Sequence, residues 1–184
     1  MPTDIKKDLK KFIPIFKKLR DENDHEAMTS AKVQELFVDV LGYDRDTQIT
    51  LEEPIKGLRA DIAIQLDNHI RLIVEVKKAA TKNLCKPKYV TEVELNAAHK
   101  GVPWALLTSG IEWNLYHRTF DKKALNYEPA FSVDLFSDPI ETASEFLALL
   151  HRHSLQNELE QWWKERVALS PKSFAKALFT EKVL

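Results

Sequence analysis

The sequence predicts an α/β domain in which a mixed β-sheet is flanked by helices and followed by a C-terminal helical extension. Apolar residues recur at helical spacing up to Leu41 and again after Pro139. Between these parts the apolar period switches to two, which is typical of strands. One further helix, from about Lys88 to His99, interrupts the strand-rich part. That order is expected of a mixed sheet covered by helices.

Two helices open the predicted fold. Residues 1–23 form a basic amphipathic helix, with seven basic and two acidic side chains among the first 20 positions. Pro14 lies in the middle of this helix and is expected to kink or divide it. The second helix runs from Asp24 to Leu41 and ends at Gly42, where a glycine suits the C-terminal cap.

Residues 24–137 hold the predicted core. Its strand candidates, in chain order, are TQITLEE, RADIAIQL, IRLIVEVK, VPWALLTS, EWNLYHRT and AFSVDLF. Residues 138–184 form the helical extension of the same domain, in ETASEFLALLHRH, LQNELEQWWKERVAL and a short piece after Pro171. Trp162 and Trp163 cannot both face the core well, so one of them is a candidate for a contact with a protein partner or a second copy.

The composition is that of an ordinary globular protein. The 184 residues suffice for one well-packed domain, with 44% hydrophobic and 30% charged residues and a net charge of −1. No apolar run approaches the roughly 20 residues of a membrane-spanning helix, and no secretory signal is present, so no membrane partner is expected. The single cysteine, Cys85, excludes an internal disulfide and favours a cytoplasmic location.

Three charged side chains stand out in the second and third strand candidates. Asp61 lies in one strand, while Glu75 and Lys77 lie two residues apart in the next. In an antiparallel hairpin centred on Asn68, Asp61 is directly opposite Glu75, and Lys77 faces Arg59. Opposed residues have Cβ atoms roughly 4.5–5.5 Å apart. Two carboxylates at that distance repel each other unless a cation lies between them.

A hard divalent cation such as Mg²⁺, or Mn²⁺ in its place, meets this demand. Mg²⁺ takes one or two carboxylates and fills its other positions with water and phosphate oxygens. A metal of this kind polarises a phosphoryl group and lowers the pKa of a bound water. Lys77, on the same face, would orient or deprotonate that water. These groups together indicate metal-assisted phosphodiester hydrolysis, while the alternative is that Glu75 and Lys77 form the solvated end of a strand.

The segment ADIAI…LIVEVKK resembles the PD-(D/E)xK nuclease motif, with Ala60 at the place of the proline. Four blocks extend the likeness over roughly residues 24–120, namely NDHEAMTSAKVQELFVDVLGYD, LEEPIKGLRADIAI, LIVEVKKA and GVPWALLTSGIEWNLYH. In that order they resemble the N-terminal nuclease domain of type I restriction enzyme R subunits. The resemblance implies a restriction-endonuclease-like core and a Mg²⁺-dependent DNA endonuclease or exonuclease.

Residue by residue, the resemblance implies a role for four side chains. Asp61 and Glu75 become metal ligands, Lys77 the catalytic lysine, and Glu26 a helix-borne acid that also reaches the metal. By itself, Glu26 is equally an ordinary acid of a first helical turn.

The segment after the proposed catalytic lysine is basic. Its candidates for contacts with DNA phosphates are Lys78, Lys82, Lys86 and Lys88, although a solvated face is the simpler interpretation. In the family a Gln, and a Tyr four residues later, commonly follow on a helix next to the active site. We align Glu94 and Ala98 with these two positions. Because a Glu repels the phosphate that a Gln contacts, Glu94 is expected to alter how DNA is bound.

The sequence also lacks a motif that the R subunits have. It contains no Gly-x-x-x-x-Gly-Lys-Ser/Thr phosphate loop and only four glycines, so no ATP-driven motor is expected. The chain is therefore predicted to act alone or with a partner that supplies targeting. Two alternatives on the same fold stay open, a non-catalytic nucleic-acid-binding module and a subunit that binds a partner through its C-terminal helices.

Overall fold

Six strands form one mixed sheet in the computed structural model, which describes residues 4–55, 58–121 and 124–170. The strands are β1 (Ile49–Ile55), β2 (Leu58–Leu66), β3 (His69–Val76), β4 (Trp104–Thr108), β5 (Glu112–Asp121) and β6 (Ala124–Asp134). The helices are α1 (Ile5–Asp21), α2 (Glu26–Asp39), α3 (Pro87–Lys100), α4 (Ile140–Ala148), α5 (Arg152–Asn157) and α6 (Leu159–Ala168). The predicted α/β class, with flanking helices and C-terminal helices, is thus confirmed.

The strand order in the sheet follows the chain from β1 to β6. Neighbouring strands are antiparallel except β3 and β4, which are parallel because α3 forms the crossover between them. A left-handed Gly101, with φ of 69°, ends α3. The parallel pair therefore places α3 directly over the strands that carry the predicted site.

The two faces of the sheet are covered differently. Val74 and its neighbours on the same face of the sheet pack under α1, α2 and the C-terminal helices, in a large hydrophobic cluster whose members run along the chain from Leu9 to Trp163. Ile73 and its neighbours of the other face form a smaller cluster with α3. No helix in the described ranges is long and apolar enough to cross a membrane.

Pro14 does not divide α1, which continues through it from Ile5 to Asp21. The exposed proline removes one backbone donor, but both halves of the helix bury their apolar face in the same cluster, Phe12 before the proline and Phe16 after it. The burial of apolar side chains before and after Pro14 therefore outweighs the free-energy cost of the missing backbone hydrogen bond.

The C-terminal helices differ from the prediction at one place. The segment LQNELEQWWKERVAL forms two helices, α5 and α6, which meet at Glu158. There the backbone N–H of Glu158 donates to the carbonyl of Ser154 (2.8 Å), which closes the last turn of α5. Trp163 is buried, while half-buried Trp162 packs edge-on against Phe131, so the partner contact stays a prediction. The predicted piece after Pro171 lies outside the described residues.

Candidate active site

The hairpin of β2 and β3 has the register that the sequence predicts at its open end. Ile62 pairs with Val74, and Asp61 and Glu75 are the next residues of the two strands. Lys77 lies one residue past β3, and its backbone N–H donates to the carbonyl of Thr108 in β4 (2.8 Å). The described pairing of β2 with β3 ends at Ile62 and Val74, so the position of Lys77 opposite Arg59 stays a prediction.

Asp61 and Glu75 form a coupled pair of carboxyl groups. The backbone N–H of Val76, the residue after Glu75, donates to Asp61 Oδ2 (2.7 Å). Burial and then the charge of Asp61 raise the pKa of Glu75 to about 8. Burial likewise raises the pKa of Asp61, although the Val76 N–H lowers it. Asp61 thus disfavours the ionised form of Glu75, whereas the Glu75 carboxyl lowers the pKa of Asp61.

Lys77 is the cation that faces this pair, and it is buried. Its Nζ donates to Glu75 Oε1 (2.8 Å) and forms a second ion pair with Glu92 Oε2 (2.9 Å), while the Tyr89 ring centre lies 5.6 Å away. Burial opposes the charge of Lys77, but the hydrogen bonds to Glu75 and Glu92 outweigh it and raise its pKa. The lysine is therefore protonated and held by two carboxylates.

Sequence reasoning missed two residues of α3 that reach the cluster. Glu92 binds Lys77, and the buried Asn96 amide places Nδ2 3.4 Å from Glu75 Oε2. Their spacing of four residues puts both on one helix face, together with Tyr89. The same spacing was assigned to Glu94 and Ala98, two positions later along the helix.

Glu94 and Ala98 lie on another side of α3. With Tyr127 they line a separate pocket of about 220 Å³, and no described bond joins them to the acidic pair. Glu94 is a half-buried acid beside the β6 strand, and its burial raises its pKa. A contact of Glu94 with DNA stays a prediction.

Glu26 is the first residue of α2 and reaches the cluster from the opposite face of the sheet. The backbone N–H of Ala79 donates to the hydroxyl of Thr29 (3.1 Å), which fixes the first turn of α2 against the chain that follows Lys77. Partial burial raises the pKa of Glu26, the charge of Lys77 lowers it, and that of Asp61 raises it further. Glu26 thus belongs electrostatically to the same group of charges.

A cleft of about 620 Å³ opens beside this group, between α2 and the first two strands. Glu26 and Asp61 both line it, along with the small side chains of Ala27, Ser30 and Ala31. This volume is within the range of ordinary small-molecule pockets, which run from roughly 300 to 1,000 Å³. The carboxylates are therefore accessible from a space that accommodates a nucleotide-sized group.

The donor set fits one hard cation held by two carboxylates. Within residues 4–55, 58–121 and 124–170, no group of three or more His, Cys, Asp or Glu side chains converges as a metal site. Asp61 and Glu75 nevertheless supply the one or two carboxylates that Mg²⁺ takes when water and phosphate complete its shell. The role of Glu26 as a third ligand stays a prediction.

The basic segment between β3 and α3 is largely accessible. Lys82, Lys86 and Lys88 are exposed, and Lys78 is half-buried. The Lys88 ammonium lies 4.5 Å from the centre of the Tyr89 ring, which borders the Lys77 site. These positions are compatible with phosphate contacts, which stay predictions.

Compared with models of known protein families, with curated proteins and with solved structures, the chain matches none. The functional inference therefore depends on the side chains of this site and on the motifs quoted above.

Proposed function

We propose that this protein is a metal-dependent nuclease that hydrolyses phosphodiester bonds in DNA, with a restriction-endonuclease-like core. The observation that carries the proposal is the buried Glu75–Lys77 pair beside Asp61, at the edge of an open cleft. Burying charged groups costs folding free energy, and an apolar replacement is often as stable. Such a cluster is typical of a functional site.

Asp61 and Glu75 would hold the Mg²⁺ or Mn²⁺ ion. When bound, the metal polarises the phosphoryl group and lowers the pKa of its water. Lys77, whose pKa is raised by its bonds to Glu75 and Glu92, would stabilise negative charge on the phosphate and orient the attacking water. Glu26, in the same cleft, is placed to orient the water or a further hydrated cation.

The alternative function is a nucleic-acid-binding or partner-binding subunit without catalysis. One observation favours it. Both described charge partners of Lys77 are carboxylates, so its ammonium cannot contact a phosphate until one of them moves away. This alternative predicts salt-sensitive DNA binding that needs no metal.

The deciding experiment measures cleavage of supercoiled plasmid and of single-stranded DNA with Mg²⁺ or Mn²⁺. Wild type is compared with Lys77→Ala and with Lys164→Ala, which removes an exposed lysine of α6. We expect wild type and Lys164→Ala to cut, and Lys77→Ala to lose roughly 100-fold or more of the rate. Equal cutting by all three proteins would mean that the assignment of the site is wrong. If wild type does not cut, the non-catalytic binding subunit is the function that the experiment supports.

A further inference from the structure

Lys77 is held by two carboxylates that differ sharply in exposure. The Glu75 side chain is 5% exposed, whereas the Glu92 side chain is 46% exposed. Glu75 is part of a central strand and its second oxygen faces Asn96, so its position is fixed by the sheet. Glu92 reaches Lys77 from the solvent side, at the end of a flexible side chain on α3. Only Glu92 is free to leave without disturbing the sheet.

The charges around Lys77 do not balance. One ammonium faces the carboxyl groups of four acids, Glu26, Asp61, Glu75 and Glu92. A divalent cation bound to Asp61 and Glu75 would offset the negative charges of those two side chains. Glu92 would still neutralise Lys77 and repel an approaching phosphate. A phosphodiester and Glu92 therefore compete for the same ammonium.

We propose that Glu92 is a positioning residue that holds Lys77 in the substrate-free protein and gives it up to a backbone phosphate of bound DNA. This inference rests on the proposed function and names a control of that same site. The ammonium has three N–H donors, so a phosphate oxygen replaces the Glu92 oxygen while the bond to Glu75 stays. Glu92 thereby keeps a buried cation paired until substrate arrives.

The competing interpretation is that Glu92 orients Lys77 throughout the reaction. The two interpretations predict opposite results for Glu92→Gln, which keeps the side-chain shape and removes the charge. If Glu92 competes with phosphate, the variant binds DNA more tightly and keeps its turnover. If Glu92 orients Lys77 during catalysis, the variant binds no better and its kcat falls.

The first test is equilibrium binding of a fluorescent DNA duplex in EDTA, by anisotropy, for wild type, Glu92→Gln and Glu145→Gln. Glu145 is an exposed acid on α4, so its variant removes the same charge elsewhere. We expect about threefold to tenfold tighter binding for Glu92→Gln only, since one charge competing with phosphate is removed. In Mg²⁺ the same variant is expected to show a lower KM with kcat within twofold. Unchanged or weaker binding by Glu92→Gln would overturn the proposal, as would a tenfold loss of kcat.

The second test needs no activity. Acetic anhydride is applied in trace amounts to the folded proteins, and acetylation of Lys77 is measured by peptide mass spectrometry against the exposed Lys164. We expect Lys77 to react slowly in wild type and Glu145→Gln, and at least threefold faster in Glu92→Gln. Equal rates in all three proteins would mean that Glu92 does not control access to Lys77, which overturns the proposal.

These tests separate the two proposals. If wild type cuts no DNA but Glu92→Gln binds it more tightly and exposes Lys77, the nuclease function fails and the control by Glu92 stands. If wild type cuts and Glu92→Gln behaves like wild type in both tests, the nuclease function stands and the control by Glu92 fails.

Discussion

Gly110 shows how a single residue is constrained by both its backbone and its neighbour. It lies in the turn between β4 and β5 with φ of 77°, and a Cβ at this position would meet the Phe16 ring at 2.3 Å. Phe16 belongs to α1 and is fully buried, so the ring has little room to move. The close contact between turn and helix therefore requires glycine.

We expect Gly110→Ala to lower the free energy of unfolding by about 2–4 kcal/mol, from the left-handed backbone and the clash together. Gly101→Ala is the matched control, because its φ is 69° but its Cβ would meet only Arg118 Nη1, at 3.9 Å. That variant should lose about 1 kcal/mol, from the backbone alone. Urea unfolding followed by tryptophan fluorescence measures both, and equal losses would show that α1 yields to the added methyl group.

At the residue scale, sequence reasoning predicted the acids and the lysine but not what holds them. Asp61 and Glu75 follow from strand alternation and a turn, which are local patterns. Glu92 and Asn96 reach the cluster only because α3 crosses back over the parallel pair, and the rotation of that helix depends on packing. A shift of two residues along a helix turns a side chain by roughly 200°, which is why Glu94 lies on a different side of α3 from Glu92 and Asn96.

At the scale of elements, strands and helices were predicted where a clear period and a turn residue agree. All six strand candidates overlap strands of the sheet, although β6 begins at Ala124, six residues before the candidate AFSVDLF. The exceptions are Pro14, whose cost is outweighed by burial on both sides, and the junction of α5 and α6 at Glu158. The burial on both sides of Pro14 is a tertiary effect that no period in the sequence records, and nothing in the structure explains the break at Glu158.

The turn between β2 and β3 fixes the register on which the site depends. Asp67 and Asn68 both have positive φ, 51° and 60°, as in the type I′ turn of two-residue hairpins. A register shift between Ile64 and Gln65 then restores the pairing centred on Asn68 toward the open end. A slip by one residue would turn Asp61 to the other face of the sheet.

We therefore expect Asn68→Gly to be more stable than Asn68→Ala by about 1–2 kcal/mol, because glycine adopts the left-handed conformation freely and alanine does not. Wild type should lie between the two variants, since asparagine tolerates this region better than alanine. Chemical denaturation of the three proteins measures the order. An alanine variant as stable as the glycine variant would contradict a type I′ turn at this position.

At the scale of the whole molecule, one hydrophobic cluster joins the N-terminal helix, the sheet and the C-terminal helices. The acidic site lies at the margin of this core, where α2, α3 and the ends of three strands meet. Binding at the site is therefore coupled to the stability of the entire fold, which makes thermal unfolding a direct measure of metal binding.

The stability of the metal-free protein should be lowered by the buried acids of its own site. Burial raises the pKa of Asp61 above its unfolded value, so keeping it ionised near pH 7 costs stability, and Asp61→Asn should raise the stability of the metal-free protein. With Mn²⁺ at about 100 times its Kd, wild type should gain about 2.7 kcal/mol, roughly 5–10 °C in Tm, and Asp61→Asn should gain almost nothing. Asp46→Asn, which changes an exposed loop acid, should respond like wild type. If Mn²⁺ shifts the Tm of Asp61→Asn as much as that of wild type, the ion binds elsewhere, and Asp61 with Glu75 is not the metal site.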